Sequence, residues 1–157
     1  MVTRIGHTAI RARDIEATAR FYTEVLGFKE AFRMYSKEEG KLSTIYIYIA
    51  PYQFIEIFPG GTEEAVQDRQ CAIGHSHICY EVDDLAAYQE EVRARGAPID
   101  VELKTGFSKC LQFWTHDPDG NRMEFMQLPP ESLQFQAVAR IMDEEAAGKN
   151  ELPRSKS

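Results

Sequence analysis

The chain is written twice, and that duplication narrows the folds open to it more than any other feature. The segment HTAIRARDIEA begins at His7 and the segment HICYEVDDLAA begins at His77. With the histidines aligned, Asp14 and Asp84 each fall seven residues later, Ile15 matches Leu85, and Ala17 matches Ala87. Each match runs into a helical pattern that stops at a glycine. In the first copy Asp14 is a natural N-cap, Ile15, Ala19, Tyr22 and Leu26 form one apolar face, and Gly27 is the stop. In the second, Asp83 or Asp84 caps, Leu85, Tyr88 and Val92 form the face, and Gly96 stops the helix.

Three strand-like runs follow each glycine. The clearest are Thr44–Ile49 and Gln53–Phe58 in the first copy, with Lys109–Thr115 and Arg122–Met126 in the second. Asp117-Pro-Asp-Gly120 is a strong turn signal, because proline sets φ, aspartate bonds its own backbone and glycine accepts positive φ. The expected order is βαβββ, a linker from Pro59-Gly-Gly61 to Cys71, and βαβββ again. A helix over about Glu131–Ala147 and a frayed polar tail beginning near Gly148 follow Pro129-Pro130. The expected fold class is therefore α+β. One domain spans 1–128, made of two βαβββ modules at about 3–60 and 74–128, and 129–157 holds a C-terminal helix and polar tail.

Matched positions also carry metal-binding chemistry. Each copy opens with a histidine, His7 or His77, and ends with a glutamate inside its last strand, Glu56 or Glu124. Glu56 follows His7 by 49 residues and Glu124 follows His77 by 47. A carboxylate among Phe54, Phe58 or Met126 is costly to shelter unless it is paired or bound to a cation. One such glutamate is an ordinary surface residue; four residues respecting one duplication form a His2Glu2 set. Imidazole and carboxylate suit one divalent Ni, Zn, Co, Mn or Fe ion per site. His75 and His116 have no counterpart in the other copy and are expected to be structural or surface residues.

Composition excludes several other classes. Lys plus Arg is 18 and Asp plus Glu is 25, a formal net charge of -7, which leaves no broad basic stripe for nucleic acid. No window approaches the roughly eighteen apolar residues of a membrane helix. The first residues lack the apolar core of a secretory signal, and three cysteines in no CxxC spacing read as reduced thiols, so a cytoplasmic protein is expected.

These stretches resemble the vicinal oxygen chelate superfamily, which includes glyoxalases, bleomycin-resistance proteins and extradiol dioxygenases. The resemblance is carried by His7–Phe28, by FIEIF around Glu56, by HICYEVDDL from His77 and by DPDGNRMEF from Asp117. It covers about residues 3–128. It implies paired βαβββ modules forming an open eight-stranded barrel around a metal, with His7, Glu56, His77 and Glu124 as ligands. It also implies a homodimer whose site is built within one chain or from both. The His, Glu, His, Glu order is similar to bacterial glyoxalase I; epimerases of the group place Gln second, and extradiol dioxygenases use two histidines and one carboxylate. Arg11 stands where a glutathione-carboxylate arginine is found in glyoxalase I, although Glu56-Ile-Phe-Pro-Gly60 lacks the asparagine that contacts glutathione there.

The implied activity is a lyase or isomerase of the lactoylglutathione lyase type. Its small substrate, an adduct of glutathione or another thiol, would pass through an enediolate, with Glu124 or Glu56 shuttling the proton. Phe54, Phe58, Phe113 and Met126 are expected to exclude water. The rival readings are an epimerase, an extradiol-type dioxygenase, and a non-catalytic small-molecule binding protein. For the last, Tyr46, Tyr48, Tyr52, Phe54 and Phe58 would supply aromatic surface; otherwise they are barrel core.

Overall fold

A computed structural model describes residues 2–62 and 73–148. Most of the linker, including Cys71, and the polar tail after Gly148 lie outside the described residues. The first half runs β1 (His7–Arg11), α1 (Ile15–Arg20), β2 (Lys29–Tyr35), β3 (Leu42–Ala50) and β4 (Gln53–Phe58). The second repeats the order with β5 (Ile78–Glu81), α2 (Leu85–Ala94), β6 (Val101–Thr105), β7 (Leu111–His116) and β8 (Arg122–Gln127). A last helix, α3, spans Leu133–Ala146. The strands make two four-stranded sheets of identical topology, β1-β4-β3-β2 and β5-β8-β7-β6. In each, the first strand runs parallel to the fourth, and the other pairs are antiparallel. The fold is thus the α+β duplication expected from the sequence.

Local chemistry explains the elements. The Asp14 carboxylate accepts from the backbone N–H groups of Glu16 and Ala17, and Asp84 accepts from that of Ala87. Each satisfies donors that the first helical turn leaves free. Asp84, not Asp83, is the second cap. The first helix departs from expectation after Arg20, where Phe21–Val25 widens into a π-helical turn closed by the Leu26 N–H on the Phe21 carbonyl. Apolar spacing does not distinguish this turn from a regular one, because Tyr22 and Leu26 are buried either way. Gly27, at φ +78°, then ends the helix. β7 starts at Leu111 instead of Lys109, since Lys109 sits at φ 63° in the preceding turn. α3 begins two residues later than the sequence indicates, at the Ser132 N-cap.

Alternation sorts each sheet into a packed face and an open face. Ile45, Ile47, Ile55 and Ile57 of the first sheet are fully buried, as are Phe113, Met123 and Phe125 of the second. The packed faces, α1 with the turn that follows it, and α2 share one core, which also holds Tyr22, Leu26, Leu85 and Val92. Burying each large apolar side chain is worth roughly 1.5–3 kcal/mol, so this shared core is what joins the halves.

Polar bonds fix their alignment. The Tyr88 hydroxyl donates to the Leu26 carbonyl at 2.8 Å, and the Tyr22 hydroxyl donates to Asp117 Oδ2 at 3.3 Å. Asp117 is the buried organiser of the β7–β8 turn and accepts from the backbone N–H groups of Asp119 and Asn121. Loss of solvent there pushes its carboxyl above the ordinary aspartate range. Asp119 in turn accepts from the Thr18 hydroxyl and the Arg13 N–H. Among the described residues no helix is long and apolar enough to cross a membrane.

Gly27→Ala is expected to lower unfolding stability in urea by about 1–2 kcal/mol, the cost of a left-handed L-residue. Its Cβ would also stand 2.6 Å from Arg95 Nη1 and displace that guanidinium. An unchanged urea midpoint would remove Gly27 from the account of helix termination.

Candidate metal centre

The open faces carry the chemistry. β1 and β4 are parallel with Ala9 opposite Glu56, so His7, Ala9 and Arg11 share a face with Phe54, Glu56 and Phe58. His7 Nε2 lies 3.2 Å from Glu56 Oε2. In the second half His77 stands one residue ahead of β5, and Cys79 is opposite Glu124. His77 Nε2 lies 3.2 Å from Glu124 Oε2, repeating the first pair. Both carboxylates are largely covered, at 13% and 15% side-chain exposure, whereas the imidazoles remain more open at 52% and 32%.

This spacing suits shared coordination. Two donor atoms about 2.0–2.2 Å from one ion and at right angles to each other stand ~3 Å apart. Each His–Glu pair therefore fits one edge of a divalent metal's coordination shell, with the nitrogen and oxygen donors that Ni, Zn, Co, Mn or Fe accept. The two pairs do not gather into one cluster within the chain. Among the described residues no group of three or more His, Cys, Asp or Glu side chains is placed to hold a metal. The duplication thus presents two candidate half-sites, each a His–Glu pair on the open face of its own sheet.

Each candidate half-site has a third member whose partnership sequence reasoning missed. Tyr46 lies directly across the strand pair from Glu56, and Trp114 lies across from Glu124. The Tyr46 hydroxyl donates to Glu56 Oε1, and that bond to a carboxylate pushes the phenol above its ordinary value. Trp114 meets His77 edge-on, with ring centroids 4.7 Å apart, and the Arg122 guanidinium lies 4.6 Å from the Trp114 ring. The signal was present: in both halves an aromatic residue precedes the glutamate by ten positions.

Other expected residues divide. Phe54, Phe58 and Met126 lie on the open faces, half-buried near the glutamates. Phe113 does not. It is fully buried on the opposite face of its sheet and stacks on Phe125, because it alternates with Trp114 along β7. Tyr46, Tyr48, Phe54 and Phe58 are open-face residues and not core, and Tyr52 is exposed in the β3–β4 turn. Arg11 lies at the end of β1, where its Nη1 donates to the Pro59 carbonyl at 3.2 Å and the guanidinium is 5.8 Å from the Phe58 ring. It also borders a cleft of about 540 Å3 that reaches His75, His77 and Arg122. His116 shares the face of Trp114, opposite Arg122, and bonds to Asp100 at 2.9 Å.

Comparison with known proteins gives these half-sites a context. The family model described as the Glyoxalase/Bleomycin resistance protein/Dioxygenase superfamily matches residues 4–125. The chain is 33% identical over 130 residues to the uncharacterized protein YwbC of Bacillus subtilis (strain 168), covering 81% of this chain and 99% of that one. It is 31% identical over 152 residues to a lactoylglutathione lyase of Pseudomonas putida, covering 80% of this chain and 85% of the relative. The crystal structure of a lactoylglutathione lyase from Agrobacterium tumefaciens shares the fold, with a TM-score of 0.59 at 21% identity over 80% of this chain and 94% of that one.

Cys79 offers a direct probe of the second half-site. Cys79 is exposed as a residue, but partial loss of solvent around its sulfur first, and the neighbouring Glu124 second, push its thiol up to about 12. At pH 8 in metal-free protein, iodoacetamide is expected to label Cys79 at least roughly tenfold more slowly than in the urea-unfolded chain, measured by peptide mass mapping. Labelling at the unfolded rate would show that Glu124 and burial do not govern this thiol.

Proposed function

The chain belongs to the glyoxalase/bleomycin resistance/dioxygenase superfamily, and we propose on that footing that it is a metal-dependent lyase or isomerase of the lactoylglutathione lyase type. The observation that carries the reading is the repeated His–Glu pair, 3.2 Å apart in both halves. His7, Glu56, His77 and Glu124 are the proposed ligands of one divalent ion. Because the pairs stay separate within one chain, the complete set is assembled by a homodimer, with the first half-site of one copy facing the second half-site of the other. A C2 dimer built this way holds two equivalent sites.

The substrate class is a vicinal-oxygen compound, such as the adduct of a 2-oxoaldehyde with glutathione or another thiol. Held by His7, Glu56, His77 and Glu124, a divalent ion would supply positive charge worth several kcal/mol to the negative charge that develops when a carbon next to a carbonyl is deprotonated. The chain's own residues do the rest. A glutamate carboxylate removes the proton from the carbon bearing the hydroxyl and the sulfur and returns it to the adjacent carbonyl carbon, while the hydroxyl proton passes to the former carbonyl oxygen, so that a 2-hydroxy thioester is left. Phe54, Phe58 and Met126 limit water around the exposed carbanion. Arg11, exposed in the same row as His7, is proposed to hold an anionic end of the substrate.

The open-face aromatics favour one other reading, a small-molecule binder of the same superfamily, with Tyr46, Tyr48, Phe54 and Phe58 as its surface. Elemental analysis separates the two. The lyase reading expects one divalent ion per chain in the purified protein, and protein free of metal that binds an aromatic ligand tightly would favour the binder.

Two further outcomes test the assignment. His7→Ala and His77→Ala are each expected to abolish turnover of methylglyoxal with glutathione. Unfolding and refolding the two variants together should restore about a quarter of the native rate, since a mixed dimer carries one intact site. No recovery would place all four ligands in one chain or dismiss them. Glu124→Gln is expected to cut the rate at least about a hundredfold, and retained turnover would take Glu124 out of the proton transfer.

A further inference from the structure

The two half-sites match in backbone and differ at the tip of one ring. Tyr46 and Trp114 occupy equivalent cross-strand positions opposite Glu56 and Glu124. Tyr46 carries a hydroxyl, and that hydroxyl donates to Glu56 Oε1. Trp114 is turned edge-on to His77. The group beside Glu124 is instead the thiol of Cys79, a weak donor.

The Tyr46 ring is itself held. Phe32 stacks on it with centroids 4.3 Å apart and planes 19° from parallel, and Phe54 meets it edge-on at 6.1 Å. The hydroxyl therefore comes from a clamped ring. It divides the work of the Glu56 carboxylate: Oε1 is taken by Tyr46, and Oε2 faces His7 Nε2.

We propose that Tyr46 is a positioning residue that holds Glu56 stationary as a ligand and so makes the two halves of a duplicated site unequal. The inference rests on the metal-site reading above for the word ligand, and on the hydrogen bond alone for the word stationary. To swing, Glu56 must break a bond from a neutral hydroxyl to a charged oxygen, among the stronger hydrogen bonds a side chain makes. Glu124, beside a thiol, meets less resistance. Partners of this kind orient ligating carboxylates, and their loss ordinarily weakens metal binding about 10–100-fold.

The test is Tyr46→Phe, which keeps the ring, its stacking on Phe32 and the strand register. Tyr48→Phe is the control, since Tyr48 lies on the same strand face without a bond to Glu56. In metal-free protein, carbon NMR of the Glu56 carboxyl should show a shift in Tyr46→Phe and none in Tyr48→Phe. In a cobalt(II) titration, Tyr46→Phe should bind about 10–100-fold more weakly and with an altered visible spectrum, while Tyr48→Phe should match the native protein. An unmoved Glu56 carbon together with native cobalt affinity overturns the proposal. If the Glu56 carbon moves but the native protein takes up no cobalt, the clamp stands and the metal reading falls. If cobalt binds and Tyr46→Phe changes neither affinity nor spectrum, the metal reading stands and the clamp's role in ligation falls.

Discussion

The parallel pairing of β1 with β4, repeated as β5 with β8, is the constraint from which the site follows. It sets the face on which each strand's odd and even residues appear. One residue of slip would turn Glu56 into the isoleucine-packed core and lift Ile55 or Ile57 onto the open face. The register is held by the apolar side, where Ile55 and Ile57 are fully buried. The polar side is thereby placed without needing stability of its own. A histidine and a glutamate reach 3.2 Å in both halves because the same core argument is made twice.

That repetition explains what the sequence disclosed. Caps, stops, strand alternation and matched His and Glu positions are local or evenly spaced signals, and they led to two βαβββ units and four chemically apt residues. The π-helical turn at Phe21–Val25 was hidden because widening the helix by one residue leaves Tyr22 and Leu26 buried. Phe113 was misplaced for a different reason. Its neighbour Trp114 is also large and aromatic, and only the pairing Trp114 to Glu124 shows which of the two shares the carboxylate's face. Tyr46 was overlooked as a partner of Glu56 because a run of aromatic residues reads as core until the register is known. The separation of the two pairs within one chain depends on how the packed faces meet, and no spacing along the sequence encodes that.

Duplication also hands each half a position that need not stay identical. Tyr46 and Trp114 show the result: one residue adds a hydroxyl to its carboxylate, and the other presents its ring to a histidine and lies under an arginine. A site with two equivalent acids would have no reason to use one and rest the other. A site with unequal neighbours does.

The turns between the last two strands of each half have parted company in the same way. Asp117–Asn121 folds upon a buried carboxylate and reaches across to Tyr22, Thr18 and Arg13, so its spelling answers to the first half as well as to its own hairpin. Its counterpart at Pro51-Tyr52 stands out in solvent, with Tyr52 70% exposed beneath Arg4. Drift will accordingly be lopsided. Descendants of this chain can lengthen or rewrite the outer hairpin tip at small cost, whereas a change of letters at the inner one unfastens both modules at once.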